Sequence, residues 1–484
     1  MTDTIETRPM LIGGRFRLAS DGAAIDAVNP ANGTVIAKIP HATAEDVNDA
    51  VSAAKDAYPL WRRLEPPQRA SALIKLAAAI EASAEEFALL DVADNGSPIR
   101  EMRNDAAVAC AQLRYYAGLV LHTRGETIPT SFDRLDFTTR EPYGVVARII
   151  PFNHPLMFAA SKIAAPLAAG NTVIVKPSEH TSLSALRLAE LASEIFPAGV
   201  VNVVTGEGAT TGDALVTHPD IRRLAFIGAA ETGRAILARA ASVAVKTVSL
   251  ELGGKNPLVI FPDADLDVAV DAAVRGMNFT WQGQSCGSTS RLLVHRDVYR
   301  PLLDKLATTM DGLRSGVPDD PETETGAIVN TRQLEKVRRY IQLGRDENAE
   351  LLVGGTTLTE GEFAGGNYLR PALFADVRPD SRLAQEEIFG PVLAAMPFET
   401  YEEAVAIANS VRYGLTAGVF TRELATGLRF ARDVEAGYVW VNDVSRHTPG
   451  TPFGGFKDSG LGREEDIEEL LAYTQVKNVH VSFA

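Results

Sequence analysis

The stretch Asn171-Thr172-Val173-Ile174-Val175-Lys176 is apolar and β-branched at nearly every central position. A strand with one wet face alternates apolar and polar residues, so an unbroken run belongs to a strand covered on both faces. Strands of this kind are expected near 145–150, 200–205, 223–228 and 246–252 as well, with helical patterns near 156–169, 182–196, 208–216 and 231–242 between them. Regular alternation of this sort builds a parallel sheet with helices on both sides, a doubly wound α/β domain. The alternation resumes with strands near 257–261, 290–295, 417–420 and 438–442 and helices near 264–280, 296–314, 400–411 and 422–434, which predicts a second α/β domain over 253–454.

Upstream, 65–93 reads as one long helix with Leu73, Leu76, Ala77 and Ile80 on its apolar face, closed by Asp94-Asn95-Gly96-Ser97-Pro98. A second helix is expected over about 100–120. Residues 1–123 and 143–252 are assigned to the first domain. The segment 124–142 is β-leaning and polar, and lies outside the alternation. So does the tail from Tyr473 to Val481, with Val479 and Val481 on one face, and 124–142 and 455–484 are set apart as segments for assembly.

The chain of 484 residues has 46 % apolar and 23 % charged residues, the composition of a folded globular protein. Its 62 acidic residues outnumber 47 Lys and Arg, a formal charge of −15, with no basic cluster to neutralise phosphates, so nucleic acid is excluded as a partner. The acidic start Met1-Thr2-Asp3-Thr4-Ile5-Glu6 is no signal peptide, and no apolar run is long enough to span a membrane, so a cytoplasmic location is expected. Two cysteines give neither a disulfide framework nor zinc-ligand spacing, and no metal is expected. Cys110, in an apolar helical context, reads as a packing residue. Cys286, in Gly283-Gln284-Ser285-Cys286-Gly287-Ser288, lies in a polar glycine-flanked turn where chemistry is expected.

In doubly wound folds ligands bind beyond the carboxyl ends of the strands. After 145–150 comes Pro151-Phe152-Asn153-His154-Pro155, whose prolines fix the turn and leave the Asn153 amide as a donor. After 171–176 comes Lys176-Pro177-Ser178-Glu179, a cation and a carboxylate able to grip ribose hydroxyls. After 223–228, Phe226-Ile227-Gly228-Ala229-Ala230-Glu231-Thr232-Gly233 opens a helix with free amides for a diphosphate, without the usual GxGxxG pattern. After 246–250, Glu251 ends an apolar strand before Leu252-Gly253-Gly254, where a buried carboxylate is either a base or half of an ion pair. Later come Glu387-Ile388-Phe389-Gly390-Pro391 and Pro452-Phe453-Gly454-Gly455.

In this order and spacing these segments resemble the NAD(P)-dependent aldehyde dehydrogenase superfamily, over nearly the whole chain. The resemblance implies that Cys286 is the nucleophile, that Asn153 and the Cys286 N–H stabilise the oxyanion, and that Glu251 activates the hydrolytic water. It implies NAD as cofactor, with NADP disfavoured by Glu179. Lys176 and Glu179 would hold the adenine ribose, Gly208 and Gly212 would flank the adenine, and Gly228, Ala229 and Thr232 would face the diphosphate. Ile150, Pro151, Phe152, Phe226, Leu252 and Gly253 would complete the cleft, Glu387 would hold the second ribose, and Phe389 would back the nicotinamide. His154, Met157, Ser161, Thr280, Trp281, His447 and Phe453 would form a substrate tunnel, with aromatics and two histidines pointing to a ring or a polar aldehyde. The family also implies a homodimer or homotetramer.

Two departures stand out. Ile227-Gly228-Ala229 lacks the hydroxyl that relatives often place near the diphosphate, and Ile467 replaces an acid that some relatives hold near the tunnel, leaving a proton relay through that position without support. A CoA-acylating dehydrogenase and a cofactor-free thiol hydrolase are the competing functions, the latter disfavoured because no histidine is marked as the partner of Cys286.

Overall fold

The computed structural model describes residues 5–483. The strands expected between 145 and 252 form the parallel centre of the first sheet, in the order Val201–Val203, Thr172–Lys176, Val145–Ile149, Arg223–Gly228, Thr247–Leu252. Val173 and Val175 face one core with Leu156, Ile163 and Leu186, while Ile174 faces the opposite core with Val145, Leu224 and Leu250. Both faces are therefore dry, and full burial of each such side chain stabilises the sheet by about 1.5–3 kcal/mol. Short strands too brief to read from pattern extend the sheet: Met10–Ile12 and Arg15–Arg17 at one edge, Gly460–Leu461 at the other.

The second sheet runs Glu350–Val353, Ala372–Ala375, Val392–Phe398, Arg291–His295, Pro257–Ile260, Thr416–Phe420, Tyr438–Val441, parallel except for the first pair. Its strands also divide their residues between two cores, Val259 and Leu293 facing one and Leu258, Ile260 and Leu292 the other. The strands at 350, 372 and 392 go beyond those expected. Val392-Leu393-Ala394-Ala395-Met396-Pro397-Phe398 combines weak strand formers with a proline, so local propensity gave little sign of it.

Other differences are local. The expected helix 65–93 is two, Pro66–Ala82 and Ala84–Asn95, because the chain leaves helical geometry at Ser83, φ −115° and ψ 18°. The expected helix 264–280 stops at Gly276, and Asn278 at φ 54° starts a separate turn, Phe279–Trp281. The expected helix at 208–216 opens as a wide π-type turn, Gly208–Gly212, before Asp213–Thr217. Helices Ala44–Trp61 and Thr331–Asp346 are further additions.

The tail strand Thr474–Ser482 pairs antiparallel with Arg134–Pro142 from Thr474↔Pro142 to Ser482↔Arg134, and Thr127–Ser131 lies on the other side. Residues 456–473 instead return to the body of the protein. Phe456–Lys457 pairs with Tyr413–Gly414, and Tyr116 Oη donates to Glu469 of helix Ile467–Ala472 at 2.6 Å. Among the described residues no helix is long and apolar enough to cross a membrane, and no cluster of His, Cys, Asp or Glu is arranged to hold a metal ion.

The strand Thr247–Leu252 of the first sheet is followed in the chain by Pro257–Ile260 of the second, so Gly253-Gly254-Lys255-Asn256 joins the carboxyl end of one to the amino end of the other. The buried Arg291 guanidinium fastens this joint, donating to the carbonyls of Lys255 at 2.7 Å, Ile407 at 2.8 Å and Ala408 at 2.7 Å. The order of the first sheet reverses between Val145–Ile149 and Arg223–Gly228, the place where such folds open a ligand crevice.

Candidate active site

The turn that carries Cys286 is shaped by left-handed residues, Gln282 at φ 52° and Gly283 at φ 65°. At Gly283 a side chain is excluded, since a Cβ would lie 2.4 Å from the carbonyl oxygen of Gly390. Asn256 clamps the turn from the interdomain joint, its Nδ2 donating to the carbonyls of Cys286 at 2.7 Å and Ser288 at 3.0 Å. No backbone oxygen among the described residues accepts from the Cys286 N–H. Cys286 keeps partial exposure, whereas Cys110 is buried and its thiol donates to the Ala77 carbonyl at 3.3 Å, the packing role expected of it.

Glu251, next to last in its strand, lies beside Cys286, close enough to raise the proton affinity of the thiol, while the thiol lowers that of the carboxyl. Burial, the charge of Glu464 and the charge of Glu465 lift the Glu251 carboxyl well above its usual range, and contact with the thiol only partly offsets this. Burial and then Glu251 lift the Cys286 thiol, with further contributions from Glu387 and Glu465. Both Glu251 oxygens are buried without a hydrogen-bond partner among the described residues. A thiol and a carboxyl that both resist ionisation and lie side by side are a perturbed pair of the kind found at functional sites.

Behind Glu251 lies a charge network that sequence reasoning missed. Lys162 pairs with Glu464 at 2.8 Å, and Arg148 donates to Glu464 at 3.0 Å and to the Tyr473 hydroxyl at 2.7 Å. Burial opposes ionisation of Glu464, but Arg148 and Lys162 outweigh it and bring its carboxyl down to about 2. A lysine inside the apolar helix Pro155–Ala168 was the available signal, since burying it requires a partner.

Asn153 sits at the start of that same helix, after the central strand Val145–Ile149. Its side chain is buried, and its Oδ1 has no hydrogen-bond partner. Asn95 Nδ2 donates to the Phe152 carbonyl at 2.6 Å, Asn95 Oδ1 accepts from Ser97 N–H, and Ser97 Oγ donates to Gln282 Oε1 at 3.3 Å. The stretch Asp94–Pro98, legible only as a helix stop, thus braces the Asn153 turn against the Cys286 turn.

Lys176 is buried, its ammonium donating to the Pro177 carbonyl at 2.9 Å and lying 3.8 Å from Glu179, which is partly exposed. Ala229 and Thr232 are exposed at the start of helix Ala230–Ala241. Gly228 and Gly233 there also serve packing, since a Cβ at either would lie 2.5 Å from the Phe226 ring or 2.8 Å from Leu252. Gly208 is open, and Gly212 meets the Lys176 stem at 3.8 Å, ordinary contact. The Ile150 N–H donates to the Lys176 carbonyl at 3.0 Å, which holds the starts of the two loops together, and Pro151 follows directly.

Glu387 accepts from the Gly254 N–H at 3.1 Å, and a Cβ on Gly253 would fall 2.1 Å from the Glu387 carboxylate. The Phe152 and Phe389 rings meet edge to face at 5.6 Å, joining the two domains at the crevice. A cleft lined by Gly254, Ser285, Ser288, Glu387 and Phe389 adjoins the Cys286 turn.

The aromatic candidates form two groups. His154 packs against Trp281 and Phe158, with ring centres 5.4 Å away in both cases. His447 packs against Phe453 at 4.7 Å and Tyr438 at 5.6 Å. Lys162 and Glu465 connect them, Lys162 lying over the Phe158 ring and Glu465 lying 3.4 Å from His447. Met157 is half-buried and Ser161 buried on the helix after His154, and Thr280 is half-buried beside Trp281.

Residues 17–479 match the family model described as the aldehyde dehydrogenase family. The chain belongs to the aldehyde dehydrogenase family. It is 44 % identical over 476 residues to a protein named aldehyde dehydrogenase tropH from Talaromyces stipitatus, covering 97 % of this chain and 92 % of that one. The crystal structure of PnpE from Pseudomonas sp. WBC-3 superposes with TM-score 0.96 at 41 % identity, covering 99 % and 98 % of the two chains. The NAD+ complex of a Bacillus cereus aldehyde dehydrogenase superposes with TM-score 0.96 at 40 % identity, covering 99 % and 97 %. The aldehyde dehydrogenase fold accounts for the two α/β domains and for the crevice between them.

Proposed function

We propose that the protein oxidises an aldehyde to the carboxylic acid with NAD, using Cys286 as nucleophile and Glu251 as base. The apposition of Cys286 and Glu251, with no histidine hydrogen-bonded to the thiol among the described residues, carries this reading. The residues fit the dinucleotide. Gly253 leaves clear the space a side chain would fill beside Glu387, the helix Ala230–Ala241 opens beside the exposed Ala229, Glu231 and Thr232, and Lys176 with Glu179 stands at the end of the strand Thr172–Lys176. Glu179 would repel a 2′-phosphate, which favours NAD over NADP.

The Cys286 thiolate adds to the aldehyde carbon, and the oxygen takes up negative charge between the Asn153 amide and the Cys286 N–H. When bound, NAD supplies the acceptor for the hydride that the tetrahedral carbon then releases. The thioester left on Cys286 is cleaved by water, with Glu251 taking the proton and the thiol leaving as the carboxylate forms. Lys162 and Glu464 keep fixed charges behind Glu251 throughout.

Losing one oxyanion donor typically costs about 10²–10³ in rate. Asn153→Ala is therefore expected to lower kcat by that factor while the melting temperature stays close to the parent's. Steady-state kinetics check it, and a change below tenfold would remove Asn153 from this role. NADH and free acid formed in equal amounts, with no acyl-CoA when CoA is added, would separate this reaction from thioester transfer to CoA.

The same reading assigns the sheet built from Thr474–Ser482 and residues 127–142 to assembly. Ile128, Phe132, Val476 and Phe483 stand exposed on or beside it, a surface suited to a second copy. Light scattering is expected to give the mass of a dimer or tetramer, and a monomer at micromolar concentration would contradict the assignment.

A further inference from the structure

His154 follows the proposed oxyanion donor directly, and it is unlike its aromatic neighbours in one respect. Its Nδ1 lies 2.8 Å from Oδ2 of Asp105, a carboxylate almost completely buried on helix Ile99–Gly118. A carboxylate accepts hydrogen bonds, so in the neutral imidazole this contact puts the proton on Nδ1 and leaves Nε2 with a free lone pair. Nε2 has no hydrogen-bond partner among the described residues, and the side chain keeps 13 % of its surface accessible. The ring is held on two sides by Phe158 and Trp281, so its orientation is fixed. Trp281 in turn lies on the turn that leads into Cys286.

We infer that the Asp105–His154 pair is a specificity subsite that accepts a hydrogen bond from a hydroxyl on the substrate, and that the preferred substrates are hydroxylated aromatic aldehydes. The inference rests on the aldehyde oxidation proposed above. The half-buried indole of Trp281 suits a ring, and Nε2 is a fixed acceptor beside it. Asp105 is a positioning residue: it touches no substrate and acts by setting which nitrogen carries the proton.

The test compares kcat/KM for benzaldehyde, 3- and 4-hydroxybenzaldehyde and the matching methoxybenzaldehydes in the parent, His154→Phe and Asp105→Asn enzymes. A ring hydroxyl alters the reactivity of the aldehyde equally in every enzyme, so the quantity read is the change in the hydroxyl-to-unsubstituted ratio between enzymes. A net hydrogen bond of about 0.5–1.5 kcal/mol corresponds to a change of about 2- to 13-fold. For at least one hydroxy isomer the ratio is expected to fall by about 3- to 10-fold in His154→Phe. In Asp105→Asn the amide can donate to Nδ1 and move the proton to Nε2, so the hydroxyl-to-methoxy ratio is expected to fall, an effect that mere loosening of the helix would not produce. Ratios unchanged within about twofold for both isomers in His154→Phe would overturn the subsite while leaving the reaction class standing. Absence of NADH with every aldehyde would remove both.

Discussion

Cys286→Ala is expected to abolish aldehyde-dependent NADH formation, with kcat falling by about 10⁴-fold or more, as when other covalent nucleophiles are removed. The size follows from the route. Without the thiol there is no tetrahedral carbon attached to the protein from which hydride can leave, and no thioester for Glu251 to hydrolyse. The fold has no comparable stake in this side chain. The turn is held by Asn256 through the Cys286 and Ser288 carbonyls and by the close approach of Gly283 to Gly390, none of which involves the sulfur. The melting temperature is accordingly expected to stay near the parent's, and NAD is expected still to raise it. A thiol reagent supplies an independent check. Cys110 is buried and Cys286 partly exposed, so the native protein should take up one label per chain, and Cys286→Ala none. Because burial and Glu251 raise the Cys286 thiol, labelling of the parent should accelerate as pH rises into the alkaline range. Turnover retained in Cys286→Ala would overturn the mechanism.

The large-scale fold was legible because the parallel strands are buried on both faces, and Val173, Ile174 and Val175 cannot be read any other way. What pattern could not show was structure held mainly by tertiary contact. Gly460–Leu461 is two residues long and exists because Thr247–Leu252 has a free edge beside it. The division of the long helix at Ser83 leaves the apolar spacing on either side intact, so periodicity passed over it. Of the motif residues, Cys286, Glu251 and Glu387 gather where the two sheets are joined, Asn153 lies in the turn braced against that of Cys286, and Lys176 ends a strand of the first sheet beside Glu179. The residues missed were those whose function depends on a partner far away in the chain. Glu464 gains its low proton affinity from Arg148 and Lys162, more than 300 positions earlier. Ile467 marks the loss of one acid, yet the charge network near Glu251 is built from Glu464, Glu465 and Lys162, and nothing local to position 467 announces it.

Glu251→Gln separates the two halves of the reaction. The amide keeps the shape of the side chain and cannot take a proton from water, so the thioester should form and then persist. Rapid mixing is expected to show a burst of up to about one NADH per subunit, followed by a steady rate reduced by about 10²–10³-fold, within or somewhat below the usual contribution of a general base. The pH dependence has a definite sign. Glu251 is active only when ionised, and burial with the Glu464 charge raises its proton affinity, so parent turnover should climb with pH through a midpoint above the ordinary carboxylate range. Replacing Glu251 also removes a negative charge that hinders ionisation of Cys286, so the midpoint for the burst rate should move to lower pH than in the parent. A burst that vanishes would make Glu251 indispensable to thiol attack. An unchanged steady rate would instead assign the hydrolytic water to another base, and Glu387 and Glu465, the other acids whose charges bear most on Cys286 among the described residues, would be the groups to replace next.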